Sequence, residues 1–288
     1  MKIAFVDFWP FFNPSNNFII HLFKSIFENV ELTDPSSCDY LIYSWFGKNN
    51  KRYKNCKRIF FAGENLKPNF EECDYSFTNV FDSYEGKNIR IPYWYFYVDW
   101  FDVKSSGNPD WLIPMDYLLN ENKFSKRDKE KFCCAVFTNP ESTRVQMVET
   151  VRKYKNVDCF GKCHEIAIPQ KQNHGGFYEK VDVISKYKFS ICFENAIEPG
   201  GFYTEKLLHA KIAGNIPVYW SDKRFSEDFN EKCCLNLINY SNMDDLLEDI
   251  IKIDNDKNEY NKILSEPLFI NMPCLDDISK KIYNLNLI

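Results

Sequence analysis

Four charged side chains stand where a chain of alternating strands and helices exposes chemistry. Glu205 and Lys206 open a helix that begins near Thr204, directly after a loop holding Pro199, Gly200 and Gly201. A helix start offers free backbone N–H groups and the positive end of a dipole, which suits a phosphate. A lysine in that first turn works against the dipole unless an anion is bound, whereas Glu205 favours it and can accept hydrogen bonds from sugar or ribose hydroxyls. The plainer alternative is a glutamate and lysine solvating a helix start. Arg144 follows a strand and the turn Thr138-Asn139-Pro140. Its guanidinium either forks across phosphate oxygens or lies on the surface of the next helix. Glu64 comes just past an apolar strand, in Gly63-Glu64-Asn65. A carboxylate at such a strand end is a functional group or a turn residue.

These side chains need a scaffold of strands and helices to bring them together. Residues 189–193 read as a strand that breaks at Glu194-Asn195. Leu207, Leu208 and Ile212 then space a helix, Gly214 stands at its C-cap, and residues 216–220 are strand-like again. That strand–loop–helix–strand unit belongs to parallel sheets, where ligands bind beyond the strand ends. Earlier, residues 2–8, 40–43 and 59–62 read as strands, and Phe18, Ile19, Leu22, Phe23, Ile26 and Phe27 form one helical face. A second set opens with a strand at 132–137, a helix through Met147, Val151 and Tyr154, and a strand at 157–160. Residues 235–238 follow as a strand. Asn242 with Asp245 caps a helix carrying Leu246, Leu247, Ile250 and Ile251, a polar helix runs to about residue 264, and residues 278–288 give a last short one. The polar stretches Lys104 to Asn108 and Asn120 to Lys131 interrupt this pattern, and the second is read as a linker. Trp94, Tyr95, Phe96, Tyr97 and Trp100 form an aromatic run, part core and part available to stack on sugar rings.

Composition narrows the functional classes. The 288 residues suffice for two domains, and a net charge of −5 argues against a general nucleic-acid binder. A polyanionic ligand must then be held by a local basic pocket. Eleven cysteines with no Cys-x-x-Cys point to reduced, mostly buried thiols in a cytoplasm. His21, His164, His174 and His209 show no metal pattern. The first residues lack a cleavage site, and no stretch reaches membrane-span length, so a soluble protein without stem or anchor is expected. Six basic residues between Lys48 and Arg58 are either a solvated surface or a contact for an anionic membrane or a lipid-linked acceptor.

Several motifs together resemble the family 10 glycosyltransferases, the α1,3/4-fucosyltransferases. They are Phe193-Glu194-Asn195, Thr204-Glu205-Lys206 and Pro217-Val218-Tyr219-Trp220, preceded by residues 158–163 and Tyr187-Lys188-Phe189. In the first half, Gly63-Glu64-Asn65, Asp74-Tyr75-Ser76-Phe77 and Arg90-Ile91-Pro92-Tyr93-Trp94 are similar to the acceptor side of the same family. The resemblance implies an α/β fold of GT-B type, two Rossmann-like domains facing each other across a cleft. Residues 1–125 would bind a glycan or glycoconjugate acceptor and residues 126–288 the donor GDP-fucose. It implies an inverting transfer to the 3-hydroxyl of GlcNAc in an N-acetyllactosamine-type sugar, though nothing in residues 1–130 distinguishes the 3-hydroxyl from the 4-hydroxyl. Glu64 would be the general base, with Arg144, Asn195, Tyr203, Glu205 and Lys206 at the donor and Trp94 at the acceptor. No cofactor is expected to be required and no divalent metal to be essential. The one Asp-x-Asp, Asp254-Asn255-Asp256, lies in a polar helical stretch away from any strand end. The chain departs from the family in reading Glu198-Pro199-Gly200-Gly201-Phe202-Tyr203 before Thr-Glu-Lys. Phe202 thereby occupies the place of an expected tyrosine, which leaves open another GDP-linked sugar. A non-catalytic nucleotide- or glycan-binding protein is the reading from another class.

Overall fold

The computed structural model describes residues 1–103, 111–161 and 176–285. Lys104 to Asn108, Lys162, Cys163, His164, His174 and the end of the expected last helix lie outside the described residues. Two parallel sheets carry the chain. The first is built from β1 (Lys2–Val6), β2 (Glu31–Leu32), β3 (Tyr40–Tyr43), β4 (Lys57–Phe61), β5 (Tyr75–Thr78) and β6 (Asn88–Arg90), in the order β2-β1-β3-β4-β5-β6. The second is built from β7 (Lys131–Val136), β8 (Val157–Phe160), β9 (Tyr187–Ile191), β10 (Ile216–Tyr219) and β11 (Leu235–Asn236), in the order β8-β7-β9-β10-β11. Each sheet reverses direction beside its first strand. This is the doubly wound pattern, and it opens a crevice beyond the carboxyl ends of the strands on either side of the reversal.

The strands are short and apolar because both faces are covered, as parallel sheets require. Ile3, Ile42, Ile59 and Phe77 pack with Ile19, Ile20 and Phe23 of α1 (Phe18–Ile26), all nearly fully buried. Asn17 starts that helix by accepting the Ile20 N–H, so the polar loop before it ends at a defined cap. Cys133, Ala135, Phe189 and Val218 pack with Met147 and Val151 of α3 (Ser142–Arg152) and Leu246 and Ile250 of α6 (Met243–Asn255). The opposite face of the second sheet takes α4 (Phe177–Ile184) and α5 (Glu205–Ile212), whose buried residues join the first sheet's core in one continuous cluster. Helix α5 ends as the sequence indicates. Gly214 has φ 72°, and the Asn215 and Gly214 N–H groups donate to the Ala210 and Lys211 carbonyls, a Schellman closure.

Several expectations are revised. The first strand stops at Val6, because Asp7 turns to φ 59° and its carboxylate accepts the Asn49 and Asn50 N–H groups. Only two residues of 235–238 are strand; the rest is a single 3₁₀ turn. The segment read as a linker is pinned rather than loose. Phe124 is buried, Asn122 donates to the Ile212 carbonyl, and Lys129 donates to Ser185 and Ala213. Helix α2 (Met115–Leu119) precedes it, and α7 (Lys257–Ser265) follows α6. Helix α8 (Asp276–Asn284) returns to the first sheet, burying Ile278 and Ile282 and stacking Tyr283 on Phe27 at 6.2 Å.

A polar joint ties the two sheets. Arg90, at the end of β6, donates to both Asp228 oxygens at 2.7 and 2.8 Å, and Trp94 donates to the same carboxylate at 3.3 Å. Phe81 lies between the Arg90 and Arg224 guanidinium groups, 3.9 and 3.7 Å from its centroid. Asn79 donates to the Gly200 carbonyl, and a Cβ on Gly201, at φ 78°, would lie 2.4 Å from the Asn79 oxygen. The loop before α5 therefore reaches across only with glycine there. Removing one partner of a largely buried pair leaves the other uncompensated. Arg90→Ala is expected to lower the unfolding free energy by about 3–5 kcal/mol in urea titration; an unchanged midpoint would show that the joint is incidental.

Candidate active site

The second sheet's reversal lies between β7 and β9, and the residues just beyond these strands meet there. Glu194 follows Cys192 and Phe193 beyond the end of β9, is 1% exposed and organises what surrounds it. Its carboxylate accepts the Thr204 N–H at 2.8 Å, the Thr204 hydroxyl at 2.9 Å, the Tyr219 hydroxyl at 2.7 Å and the Lys206 ammonium at 3.2 Å. The Thr204 hydroxyl also accepts from Lys206 at 2.8 Å. One buried anion thus joins the end of one strand, the end of the next and the first turn of α5. Burial pulls the Lys206 ammonium down, and Glu194 and Glu205 outweigh it, so its affinity for the proton is raised.

Glu205 sits one step along the same turn, paired with Lys180 at 3.3 Å and with Lys206 at 3.9 Å. Burial would raise its carboxyl, but Lys206 and Lys180 together hold it well below the usual carboxylate range. His209, one turn further on, is held neutral by burial and by Lys180; among the described residues neither of its ring nitrogens has a hydrogen-bond partner. Asn195 is exposed in the loop, free of side-chain bonds among the described residues.

The facing wall comes from the first sheet. Glu64 is half-buried in the turn after β4, its carboxyl raised by burial and pulled part of the way back by the Lys206 charge. The charge of Lys206 therefore reaches Glu64 across the gap between the sheets. Tyr93 donates to the Gly63 carbonyl at 2.7 Å, bracing the turn that carries Glu64, and its ring meets Phe202 at 4.9 Å. Burial, with Glu64 and Glu205 nearby, pushes the Tyr93 phenol up, so it stays a neutral donor. A cavity of about 500 Å³ opens beside Glu64, lined by Gly63, Tyr93, Phe96 and Tyr97 and by the loop after β1.

Three expected ligands are turned elsewhere. Arg144 is 2% exposed, and its guanidinium donates to the Phe193 carbonyl at 3.1 and 2.7 Å and to the Asn139 carbonyl at 3.2 Å. Its fork is closed on the protein, where it supports the strand end before Glu194. Tyr203 is buried, its hydroxyl donating to Asp222 at 2.9 Å and its ring set between Phe225 and Phe229. Trp94 is 2% exposed and packs on Phe269 and Phe229 in the joint between the sheets. In the tight turn at 93–97, Tyr93, Phe96 and Tyr97 face the cavity, while Trp94 and Tyr95 face the core. Sequence reasoning passed over Glu194, although a carboxylate immediately after a buried strand is the same signal that picked out Glu64. Lys180 and Tyr93 carried no such signal. Asp254 is 2% exposed on its side chain and paired with Lys188 at 2.7 Å and with Lys155, while Asp256 caps α7 by accepting the Asn258 and Glu259 N–H groups. Among the described residues, no cluster of three or more His, Cys, Asp or Glu is placed to hold a metal.

Comparison with known proteins adds an independent line. Residues 3–97 match the family described as Alpha-(1,3)-fucosyltransferase FucT N-terminal domain, and residues 125–265 that described as Glycosyltransferase family 10 (fucosyltransferase) C-term. A putative fucosyltransferase of Acanthamoeba polyphaga mimivirus is 34% identical over 161 residues, 53% of this chain and 26% of that protein. Alpha-(1,3)-fucosyltransferase FucT of Helicobacter pylori is 28% identical over 234 residues, 74% of this chain and 48% of that protein. The chain thus spans about a quarter to a half of these relatives' length. A crystal structure of an α1,3-fucosyltransferase superposes with a TM-score of 0.76 at 22% identity, covering 99% of this chain and 89% of the other, which shows the fold as GT-B.

The Glu194 arrangement makes a direct test. Glu194→Gln keeps the shape but turns an amide N–H₂ toward Lys206 or Thr204, leaving a buried donor unmatched. Urea unfolding is expected to lose about 1–3 kcal/mol, and Glu205→Gln, at the wetter edge, less than half of that. Equal losses would mean that Glu194 is not the organising group.

Proposed function

The chain belongs to glycosyltransferase family 10, the fucosyltransferases, and from that premise we propose that it moves fucose from GDP-fucose to a hydroxyl of a glycan acceptor with inversion, α1,3 to GlcNAc of an N-acetyllactosamine-type sugar. The observation that carries this reading is that Glu64, on the turn braced by Tyr93 against Phe202, lies within reach of the Lys206 charge, which lowers its raised carboxyl. Glu64 takes the proton of the attacking hydroxyl; its raised carboxyl makes it a better base than an exposed glutamate. As the glycosidic bond breaks, positive charge develops on the sugar and negative charge on the departing diphosphate. Lys206 and the N–H groups at the start of α5 stabilise the latter, with Asn195 and Glu205 placed to meet sugar or ribose hydroxyls. Arg144 contributes a fixed positive charge from behind the strand. On this reading no divalent metal is essential.

A second donor stays in play for one reason. Phe202 has no hydroxyl and the Tyr203 hydroxyl is spent on Asp222, so neither reads a sugar hydroxyl from that loop. Thermal shift with GDP-fucose, GDP-mannose and UDP-sugars separates the donors, and preference for a uridine nucleotide would sink both readings. The first unit also carries a candidate membrane contact at Lys48 to Arg58. No acidic residue lies between Trp45 and Arg58, Trp45 and Phe46 are exposed beside the cluster, and only Lys51 and Lys57 are shown in ion pairs, with Glu72 and Asp74. Among the described residues no helix is long and apolar enough to cross a membrane. Co-sedimentation with phosphatidylserine vesicles, lost in high salt and absent with neutral vesicles, is the expected outcome.

Two variants separate the catalytic roles. Glu64→Ala is expected to cut kcat by ~10²–10⁴-fold with GDP affinity nearly unchanged. Lys206→Ala is expected to weaken GDP binding by ~1.5–3 kcal/mol and to lower kcat as well. Because the base must be ionised, kcat falls as pH drops through the raised Glu64 pKa. Removing the Lys206 charge, which lowers that pKa, moves this acid limb upward. Near-normal turnover of Glu64→Ala overturns the base assignment, and loss of activity in EDTA with recovery in manganese overturns the electrostatic one.

A further inference from the structure

The cavity beside Glu64 is unlike a site built for a bare sugar. Its walls are aromatic, with Phe8, Trp9, Phe12, Phe61, Phe96 and Phe101 contributing rings, and its volume of about 500 Å³ suits a small molecule. Saccharide sites need convergent donors and acceptors to match hydroxyl groups, and here several of the polar lining groups are committed to shaping the loops. Asn17 caps α1 through Oδ1 and donates through Nδ2 to the Asn13 and Pro14 carbonyls. Asn13 Oδ1 accepts from Ser15, His21 is bonded to Asn16 at 2.7 Å, and Asp99 accepts the Val103 N–H at 3.0 Å. Among the described residues the Glu64 carboxylate is the lining acid without a hydrogen bond. Two aromatic lining residues reach solvent beside exposed Asn13: Phe11 is fully exposed and Phe46 is 42% exposed. Phe46 packs on exposed Trp45 at 4.5 Å, immediately before the basic segment.

We propose that this cavity is an acceptor subsite for an apolar group, so that the acceptor is a glycoside carrying a hydrocarbon chain. The proposal rests on the transferase reading, which gives Glu64 its role. With the chain against the aromatic walls, the sugar end is left at the one free carboxylate, where its hydroxyl is to lose a proton. An exposed aromatic mouth beside a basic, acid-free surface is continuous with the face proposed to meet an anionic bilayer, where such a glycoside would reside.

Alkyl glycosides of N-acetyllactosamine, from methyl to octyl and below their micelle concentrations, test this with GDP-fucose as donor. Each methylene removed from water contributes about fourfold, so the acceptor KM is expected to fall at least tenfold along the series while kcat changes little. Phe12→Asp should flatten the dependence, with calorimetric GDP binding showing that the variant is folded. A KM independent of chain length overturns the proposal, as does a dependence that survives in Phe12→Asp. If no glycoside is fucosylated, the transferase reading fails. Quenching of the tryptophan fluorescence by the octyl but not the methyl glycoside would then still support an apolar subsite, and its absence would overturn that too.

Discussion

The site depends on one buried anion with four donors around it. Glu194 lies in a place where an unpaired carboxylate would be strongly unfavourable, so the groups that satisfy it are fixed relative to one another. Those groups are the Thr204 N–H and hydroxyl, the Lys206 ammonium and the Tyr219 hydroxyl. The first turn of α5, the last residue of β10 and the chain leaving β9 are thereby set in one geometry before any ligand arrives. A lysine that opposes its own helix dipole is tolerated because this carboxylate supplies the counter-charge. Positioned charge of this kind would need little reorganisation if, as proposed, a diphosphate develops negative charge beside it.

The opposite wall is held by different means. Glu64 is carried on a turn braced by the Tyr93 hydroxyl, and Tyr93 touches Phe202 from the other unit. Together with Arg90, Asp228 and the close approach of Gly201 to Asn79, this contact fixes how the two walls face each other. The altered loop before Thr-Glu-Lys thus has a mechanical function in this chain, independent of which sugar it meets.

Much of the fold is legible in the residues. Apolar runs of four or five mark the strands, and Asn242, Gly214 and the 3.6-residue spacing mark helix ends and faces. Gly63-Glu64-Asn65 and Thr204-Glu205-Lys206 stand at strand and helix ends, where the topology exposes chemistry. The failures share a cause. Arg144, Tyr203 and Trp94 are of the right types at the right places in the chain, yet their side chains turn toward the Phe193 carbonyl, Asp222 and Asp228. Which way a long side chain turns depends on partners up to 134 residues away in sequence, and neither spacing nor hydropathy reports them. Glu194 escaped for the converse reason: a charged residue after a buried strand reads as leaving the core, and here four donors draw it back in.

Helix α8 carries a consequence for how the molecule comes into being. Its Ile278 and Ile282 join the core cluster that holds Ile3, Ile19, Phe23 and Ile89 of the first sheet and its helix, and Tyr283 covers Phe27. On a ribosome the amino-terminal sheet emerges first yet lacks this cover until residues 276–284 have been made. The half that would receive the acceptor must therefore wait, partly open, through the synthesis of the half that would hold the donor, and the nascent chain is most exposed to chaperones and proteases during that interval.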